Sequence, residues 1–267
     1  MFLTPINNVK ECKTIMDNIS RDTIPQLQNW NNFCQYHANS DWHGIWTRYS
    51  PDGQVIESFQ CVRSFHISED KSEINHQNHY IYADGTKETK TFGPYKKPIT
   101  QGLFLDNSFT WGSTKVESGS NFGFETGFRY KDRRVSVAIT YGDRASLEKI
   151  TVISEHLSTF ASAISHTTKE LSGSCEGTGK TITPDWIVSS PVPTSFNKLE
   201  NLSDDYQILH LLNGISIACP HQIETGKEFV TTIDWLVNPD LLQRGIRKYD
   251  ASGFRSFTLE IFNITAC

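Results

Sequence analysis

The stretch DWHGIWTRYSPDG, residues 41–53, marks the point where this 267-residue sequence changes from helical to strand periodicity. Before it, apolar residues recur at helical spacing over residues 9–19, and a second short helix is predicted to begin near Pro25. From Gly44 onward, apolar and polar residues alternate, and the segment 51–53 is a turn sequence. The stretch therefore predicts the first strand and the first turn of an antiparallel sheet.

Short alternating runs separated by turn sequences continue along most of the remaining chain. They predict about eight strands by residue 155 and about five to seven more after it. Aromatic residues are abundant, with 16 Phe, 9 Tyr and 6 Trp, which suits pleated sheets better than helices. We therefore predict an all-β fold with three parts: a helical segment at 1–43, an antiparallel β-barrel at 44–165, and a second, smaller barrel-like half at 166–267.

The two predicted halves share a pattern in their hairpins. The sequences RYKDRRVSVAITYGD and VNPDLLQRGIRKYDA align at an offset of 108 residues, which pairs Asp132 with Asp240 and Tyr141 with Tyr249. The following strands, LEKITVIS and FRSFTLEI, align at an offset of 107 residues. Alternation is common to all hairpins, so an internal duplication and a chance likeness both remain open.

The glycine-rich stretch LSGSCEGTGKTIT, residues 171–183, superficially matches a phosphate-binding loop but fails its requirements. Counting five positions back from Gly179 reaches Ser174 rather than a glycine, and prolines follow where a helix would have to start. If the two halves correspond, residues 173–175 begin the second sheet as residues 44–46 begin the first. Gly177 and Gly179 are then predicted to form the tight turn of its first hairpin.

Composition and charge argue against several classes of protein. The net charge of −5 and the pI of 6.0 disfavour a nucleic-acid partner, which usually leaves a basic patch. No apolar run approaches the roughly 20 residues of a membrane helix, and the first residues lack the basic start and apolar core of a signal peptide. Six cysteines without paired C-x-x-C spacing favour reduced thiols and a cytoplasmic location.

The segment DWHGIWTRY, with a short helix before it and antiparallel strands after it, resembles the Gly-x-Trp signature of the lipocalin/calycin superfamily. Through this segment, WNNFCQYH and FGFETGFRYKDRRVSVAITY, the chain also resembles a cyanobacterial and plastid family of unknown function with a lipocalin-like fold. That family is distantly similar to the S-type bilin lyases, which attach phycobilins to light-harvesting proteins. The resemblance implies that Trp46 closes a barrel floor and that Arg134 or Arg133 packs across it. The second half departs from the signature, with Cys175 at the Trp position.

The two faces of the predicted strands differ in chemistry. In NFGFETGFRY, residues 121–130, aromatic side chains share one face and charged residues lie on the other. Either the apolar face is packed core and the charged face is solvated, or the barrel interior is a cavity lined by aromatic residues. The resemblance to bilin lyases implies a Glu and an Arg near a tetrapyrrole's carboxylates, for which Glu125 and Arg134 are the candidates. The candidate ligand-binding residues are Phe122, Phe124, Phe128, Tyr130, Trp111, Glu125 and Arg134.

The sequence predicts neither a catalytic set nor a metal site. His76 and His79 are three residues apart and so face opposite sides of a strand, and the nine histidines show no metal-binding pattern. Cys61 lies within a predicted strand, where a small buried hydrophobe is favoured over a nucleophile. No serine lies in a G-x-S-x-G sequence.

The leading prediction is a soluble, cytoplasmic lipocalin-like protein that binds an apolar or amphipathic small molecule. A bilin, a carotenoid fragment and a fatty-acid derivative are the candidate ligands, and a phycobiliprotein is a candidate partner. No cofactor is predicted apart from such a bound tetrapyrrole or lipid. Two alternatives remain open: a bilin-lyase-like or isomerase-like enzyme that uses the same cavity, and a non-binding scaffold whose halves fill their own interiors.

Overall fold

The structure is a computed structural model that describes residues 23–38, 40–142, 144–160, 175–199 and 202–264. The helix predicted over residues 9–19 lies outside these ranges. Helix α1, Thr23–Tyr36, begins near Pro25 as predicted. The remainder of the described chain is mostly β, with one strongly curled half-barrel sheet and a second sheet, which confirms the predicted all-β fold.

Nine antiparallel strands form the first sheet. They are β1 Ser40–Tyr49, β2 Val55–Ile67, β3 Glu73–Ile81, β4 Lys87–Lys96, β5 Gly102–Leu105, β6 Ser108–Gly112, β7 Phe122–Tyr130, β8 Arg133–Tyr141 and β9 Leu147–His156. Their order is β4-β3-β2-β1-β9-β8-β7-β6-β5. The sheet is strongly curled into a half-barrel. Among the described strands it ends at two edges, β4 and β5, so strand pairing does not form the closed cylinder that the resemblance implies.

Seven further antiparallel strands form the second sheet. They are β10 Glu176–Ile182, β11 Val192–Ser195, β12 Tyr206–Leu211, β13 Ile215–Pro220, β14 Phe229–Asn238, β15 Leu241–Asp250 and β16 Gly253–Asn263. Their order is β11-β10-β16-β15-β14-β13-β12. The predicted boundary at residue 165 lies in 161–174, outside the described ranges, so the proposed domain division stays a prediction.

The two sheets repeat one topology. Without β3 and β4, the first sheet reads β2-β1-β9-β8-β7-β6-β5, which matches the order of the second sheet strand for strand. The register matches as well, because Gly44 lies opposite Glu155 in the first sheet and Gly177 lies opposite Phe262 in the second. The correspondence predicted for one hairpin and the strand after it therefore extends across seven strands of each sheet.

Gly177 and Gly179 lie within strand β10, which corrects the prediction that they form a tight turn. Strand β10 pairs with β11 on one side and with β16 on the other. A Cβ atom on Gly177 would lie 2.5 Å from the carbonyl oxygen of Ile261 and 2.5 Å from Phe262 Cδ1. Glycine is required here by the close approach of β16 rather than by a turn.

The two halves exchange equivalent hydrogen bonds across their interface. Tyr141 Oη donates to the carbonyl oxygen of Pro220 at 3.0 Å, and Tyr249 Oη donates to the carbonyl oxygen of Ser113 at 3.0 Å. The backbone repeats the exchange in two more bonds, Leu147 N to His221 O at 2.9 Å and Phe254 N to Thr114 O at 2.6 Å. Each half thus gives the other the same contacts that it receives, as in an isologous two-fold interface.

A single apolar cluster fills the space between the sheets. In it the rings of Phe122 and Phe229 lie 5.9 Å apart, and those of Phe128 and Trp235 lie 6.4 Å apart. Because these residues belong to both sheets, removing either half would expose the core face of the other. We therefore expect the two halves to unfold together.

Tyr141→Phe is expected to lower the free energy of unfolding by about 1–2 kcal/mol, because the buried Pro220 carbonyl loses its side-chain donor. Urea unfolding followed by tryptophan fluorescence measures the change and should show one transition. Tyr82→Phe, which removes an exposed hydroxyl that donates to Glu88, is the matched control and should be near neutral. Two separate transitions would contradict the shared core.

The described cysteines differ in whether they form a disulfide bond. Cys34, Cys61 and Cys219 are free, as predicted, but Cys175 is disulfide-bonded, so the prediction of reduced thiols is wrong for that residue. Burial raises the pKa of the Cys61 thiol to about 12, which keeps it protonated at neutral pH. The interpretation of Cys61 as a buried small hydrophobe is therefore supported over that of a nucleophile.

Candidate binding site

The four aromatic residues predicted on one face of strand β7 lie between the two sheets. Phe122 is 5.4 Å from the ring of Tyr249, and Phe124, Phe128 and Tyr130 join the same inter-sheet cluster. Their rings are used by sheet packing, so they do not line the interior of the half-barrel. The other three candidates, which are Trp111, Glu125 and Arg134, lie on the opposite, concave face.

Helix α1 covers one end of this concave face. Phe33 stacks on Phe104 of β5 with ring centroids 4.3 Å apart. Asn29 donates to the carbonyl oxygen of Gly102 at 2.9 Å and accepts from the backbone N–H of Phe104 at 2.6 Å. The helix therefore satisfies the backbone of edge strand β5 while its apolar residues fill the end of the half-barrel.

Four charged side chains form a buried cluster at the centre of the concave face. Arg63 Nη1 lies 3.1 Å from Glu125 Oε1, and Arg63 Nε lies 3.3 Å from Glu155 Oε1. Arg134 Nε lies 2.6 Å from Glu155 Oε2. Arg63, Arg134 and Glu155 are at most 2% exposed, and Glu125 is 14% exposed. The charged face is therefore not solvated, contrary to the simpler of the two sequence interpretations.

Glu125 and Arg134 both belong to this cluster, but they do not pair with each other. Arg63 lies between them in the chain of contacts, because it bridges Glu125 to Glu155, and Glu155 in turn binds Arg134. Sequence reasoning missed Arg63 and Glu155. One signal was present for Arg63, since it occupies an inward position in the alternating series Phe59, Cys61, Arg63 and Phe65.

Glu125 accepts three hydrogen bonds from the wall of the half-barrel. The donors are Arg63 Nη1 at 3.1 Å, Ser136 Oγ at 2.6 Å and Trp111 Nε1 at 2.9 Å. Burial would raise the pKa of Glu125, but the charge of Arg63 and the Ser136 and Trp111 donors outweigh it, so the pKa lies below its ordinary value. Glu125 is therefore an ionised acceptor at neutral pH.

Two tryptophans each have an arginine stacked on the face of the ring, but the arginine over Trp46 is neither of the two that the resemblance implied, Arg134 and Arg133. Arg63 lies 4.9 Å from the ring centroid of Trp46, and Arg134 lies 4.4 Å from that of Trp42. Arg133 instead contacts Trp235 in the second sheet. The arginine over Trp46 thus comes from strand β2, which pairs with β1, rather than from β8.

The far end of the concave face, away from helix α1, carries an aromatic wall made of Trp46, Phe59, Tyr80 and Tyr82. Trp46 lies 5.5 Å from Tyr80 and 5.9 Å from Phe59, and Phe59 lies 5.3 Å from Tyr82. Phe59 and Tyr80 are buried, whereas Trp46 and Tyr82 remain partly exposed. The wall therefore offers an apolar, partly open surface next to the charged cluster.

Two polar atoms of the site, Trp46 Nε1 and Arg134 Nη2, are buried without a hydrogen-bond partner among the described residues. Arg63 Nε and Glu155 Oε1 also form no hydrogen bond of good geometry, but they face each other as an ion pair at 3.3 Å. Both unpaired atoms are donors. Buried polar atoms of native proteins are normally paired with protein, water or ligand, so these donors are open to a water molecule or to a polar group of a ligand.

A hydrogen-bonded chain of neutral side chains lies beside the cluster on β3. His76 contacts Tyr95 Oη at 3.0 Å through Nδ1 and Asn78 Oδ1 at 2.8 Å through Nε2, and Asn78 donates to Tyr80 Oη at 2.9 Å. Burial and the nearby charge of Arg63 lower the pKa of His76 to about 3, so the ring is neutral. His79 faces the opposite side of the strand, as predicted.

The second sheet places mostly apolar residues where the first sheet has charges. Arg134 lies opposite Glu155 in the first sheet, and Leu242 lies opposite Phe262 in the second. Strand pairing therefore aligns Arg134 with Leu242 and Glu155 with Phe262. Arg63 lies opposite Trp42, and Phe196 N donates to the carbonyl oxygen of Cys175. Because Gly177 corresponds to Gly44, Cys175 stands at the position of Trp42, which corrects the prediction that it stands at that of Trp46. The resulting cluster is Cys175, Phe196, Leu236, Leu242 and Phe262.

One buried ion pair is present in the second sheet, at positions that correspond to Gly127 and Ser136. Asp234 accepts two hydrogen bonds from Arg244, at 2.6 and 2.8 Å. This pair is direct and bidentate, a geometry that satisfies both side chains. It therefore differs from the network of the first sheet, in which Arg134 Nη2 has no hydrogen-bond partner among the described residues.

Other depressions lie on the second sheet. A depression of about 480 Å³ is lined by Tyr206, His221, Phe229, four carboxylates (Asp204, Asp205, Glu224 and Glu228) and one lysine, Lys227. Most of these charged residues are exposed, which makes the depression a solvated surface groove.

In the part of the chain that the structure describes, no three His, Cys, Asp or Glu residues are grouped to hold a metal ion. No helix among the same residues has the length and hydrophobicity to cross a membrane.

The fold and the site together define a two-sheet, barrel-like β protein with a charged cluster buried in its first half. The family model for the domain of unknown function DUF3598, N-terminal part, matches residues 26–160, and the chain belongs to the DUF3598 family. Residues 194–260 also match the C-terminal domain of a biogenesis factor required for ATP synthase 1. No curated protein matches the chain.

A solved structure with the same fold is a DUF3598 protein of unknown function from Nostoc punctiforme. It is 19% identical, with a TM-score of 0.71, and the match covers 88% of this chain and 98% of that one. A putative outer membrane protein from Bacteroides fragilis is 10% identical over 84% of this chain and 96% of its own. Its TM-score of 0.22 is too low to support a common fold.

Proposed function

We propose that the concave face of the first half binds an apolar or amphipathic small molecule whose polar group meets the charged cluster. The observation that carries the proposal is the contrast between the halves. At equivalent positions the second half has Phe196, Leu242 and Phe262, whereas the first half has Arg63, Arg134 and Glu155.

Buried ion networks are weak contributors to stability. Replacing such a network by apolar residues of similar size is often neutral or stabilising, because desolvation offsets the attraction between the charges. The second half indicates that this topology accepts apolar residues at these positions. A role in binding is therefore the better explanation for the charges of the first half, and the unpaired donors Trp46 Nε1 and Arg134 Nη2 support it.

The proposed site contains only some of the ligand-binding residues predicted from the sequence. It retains Trp111, Glu125 and Arg134, and it adds Arg63 and Trp46. A bilin, a carotenoid fragment and a fatty-acid derivative all have the flat or chain-like apolar body that the aromatic wall suits. The lipocalin-like relationship, the cytoplasmic location and the phycobiliprotein partner stay predictions.

The protein purified from its native host tests the proposal by absorption spectroscopy and native mass spectrometry. A bound pigment or lipid is expected, and Trp46→Leu is expected to weaken its binding by about tenfold or more, since central aromatic anchors dominate binding energy. Trp186→Leu, which changes a tryptophan between β10 and β11, is the matched control. A protein that is free of ligand and takes up no member of a pigment and lipid panel would contradict the proposal.

A role in the biogenesis of a multi-subunit complex is a second candidate function. The match of residues 194–260 to the C-terminal domain of a biogenesis factor required for ATP synthase 1 favours it. Co-purification of the tagged chain with ATP synthase subunits would support this role. If those subunits are absent from the purified material while a small molecule is present, the result contradicts the role in biogenesis and supports small-molecule binding as the function.

A further inference from the structure

We propose that Glu125 acts as a built-in counter-ion that makes the site select uncharged polar groups, such as alcohols, ketones, esters and amides, over carboxylates. The inference rests on the proposed function, because it names the chemistry of the ligand in the same site. It follows from the charge balance around Arg63 and from the position of Glu125 at the accessible side of the cluster.

The charged cluster is already neutral without a ligand. Arg63 and Arg134 contribute two positive charges, and Glu125 and Glu155 contribute two negative charges. A ligand carboxylate would therefore enter a site with no net positive charge to receive it, and it would give up its hydration.

The neighbouring titratable groups do not change this balance. Burial, together with the charges of Arg134 and Arg129, holds the pKa of His37 well below its ordinary value, and His76 is likewise neutral. At the rim, Arg48 pairs with Glu57, and Lys90 pairs with Glu88 at 3.3 Å. Arg129 lies at the helix end, where it donates to the carbonyl oxygen of Tyr36 at 2.6 Å.

Glu125 occupies the donors that a ligand carboxylate would need. Ser136, Trp111 and one nitrogen of Arg63 all donate to it. Glu125 is also the most exposed member of the cluster, at 14%, so it stands between the other charges and solvent. An incoming carboxylate would be held next to this negative group, and juxtaposed like charges are strongly unfavourable at a desolvated site.

An uncharged acceptor avoids this repulsion and can still form hydrogen bonds. Trp46 Nε1 and Arg134 Nη2 are buried donors without a hydrogen-bond partner in the described ranges. A carbonyl or hydroxyl oxygen accepts from such donors without adding charge. The site therefore matches a neutral oxygen at the end of an apolar body.

The experiment compares decanol, decanoate and decylamine as competitors for the uncharged fluorescent probe N-phenylnaphthylamine on the full chain. Decanol is expected to displace the probe at a concentration about tenfold lower than either ion, given the cost of like charges and of desolvation. Glu125→Gln removes one negative charge and should reverse the order of decanol and decanoate. Glu148→Gln, which removes an exposed carboxylate of β9 outside the site, is the matched control and should leave the order unchanged.

The outcomes separate this inference from the proposed function. Stronger displacement by decanoate than by decanol in the wild type, or an unchanged order in a folded Glu125→Gln, overturns the inference and leaves the binding function standing. If Glu125→Gln does not fold, the wild-type order of the three compounds decides alone. A probe that binds neither wild type nor variant removes the proposed function, and the inference with it.

Discussion

Glu155→Gln is expected to lower the free energy of unfolding by about 3–5 kcal/mol, which is the usual loss when one member of a buried ion pair is removed. Glu155 is fully buried and contacts both arginines of the cluster, at 3.3 Å to Arg63 and 2.6 Å to Arg134. Glutamine preserves the volume and one acceptor oxygen, but it leaves two guanidinium groups with a single carboxylate, Glu125. The loss therefore comes from uncompensated charge rather than from a cavity.

Urea unfolding of the purified variant measures this loss, with the slope compared to that of the wild type to confirm a common unfolded state. Glu148→Gln is the matched control, because Glu148 lies on the same strand but is exposed. It should change stability by no more than about 0.5 kcal/mol. A loss below about 1 kcal/mol for Glu155→Gln would mean that water screens the cluster, which would contradict the burial of its charges away from solvent.

The strands and their hairpins could be predicted from the sequence, because alternation and turn residues are local signals. The turn between β7 and β8 illustrates this, since Lys131 adopts a positive φ of 57° beside Asp132, where the sequence predicts a turn. Pairing of neighbouring strands follows from short connections. The repeat of one hairpin in the second half was visible for the same reason.

The direction in which each face points could not be predicted, because both faces of the central strands are buried. In β8 the side chains of Val135 and Arg134 are both inaccessible, one against the second sheet and the other inside the half-barrel. Alternation then separates two kinds of interior rather than interior from solvent. Only the packing of the second sheet on the first assigns Phe122 and Phe128 to a core.

The partner of each charge was equally hidden from sequence reasoning. Arg63 and Glu125 are 62 residues apart, and Arg134 and Glu155 are 21 residues apart. These contacts depend on the curl of the sheet, which brings the β2 side chains across the concave face to those of β7. The Gly-x-Trp segment predicted that an arginine would cover a tryptophan, but sheet curvature decides which arginine reaches which ring.

A variant in which the charged cluster is replaced by the residues at equivalent positions of the second half should separate stability from binding. The four substitutions are Arg63→Phe, Glu125→Thr, Arg134→Leu and Glu155→Phe, taken from Phe196, Thr232, Leu242 and Phe262. We expect the variant to fold with an unfolding free energy equal to that of the wild type or higher by about 1–4 kcal/mol. We also expect it to lose binding of the probe and of any native ligand.

The physical reason lies in the difference between removing one charge and removing all four. Arg134→Leu alone leaves Glu155 underpaired and should be destabilising, whereas the fourfold change leaves no charge of the cluster to desolvate. A phenylalanine at position 155 has a place to pack, because Gly44 lies opposite it as Gly177 lies opposite Phe262. Urea unfolding and probe titration, measured on wild type, Arg134→Leu and the fourfold variant, give the comparison. If the fourfold variant is less stable than Arg134→Leu, the charges stabilise the half-barrel and the expected gain is wrong. If the fourfold variant still binds the probe, the ligand does not bind at the charged cluster.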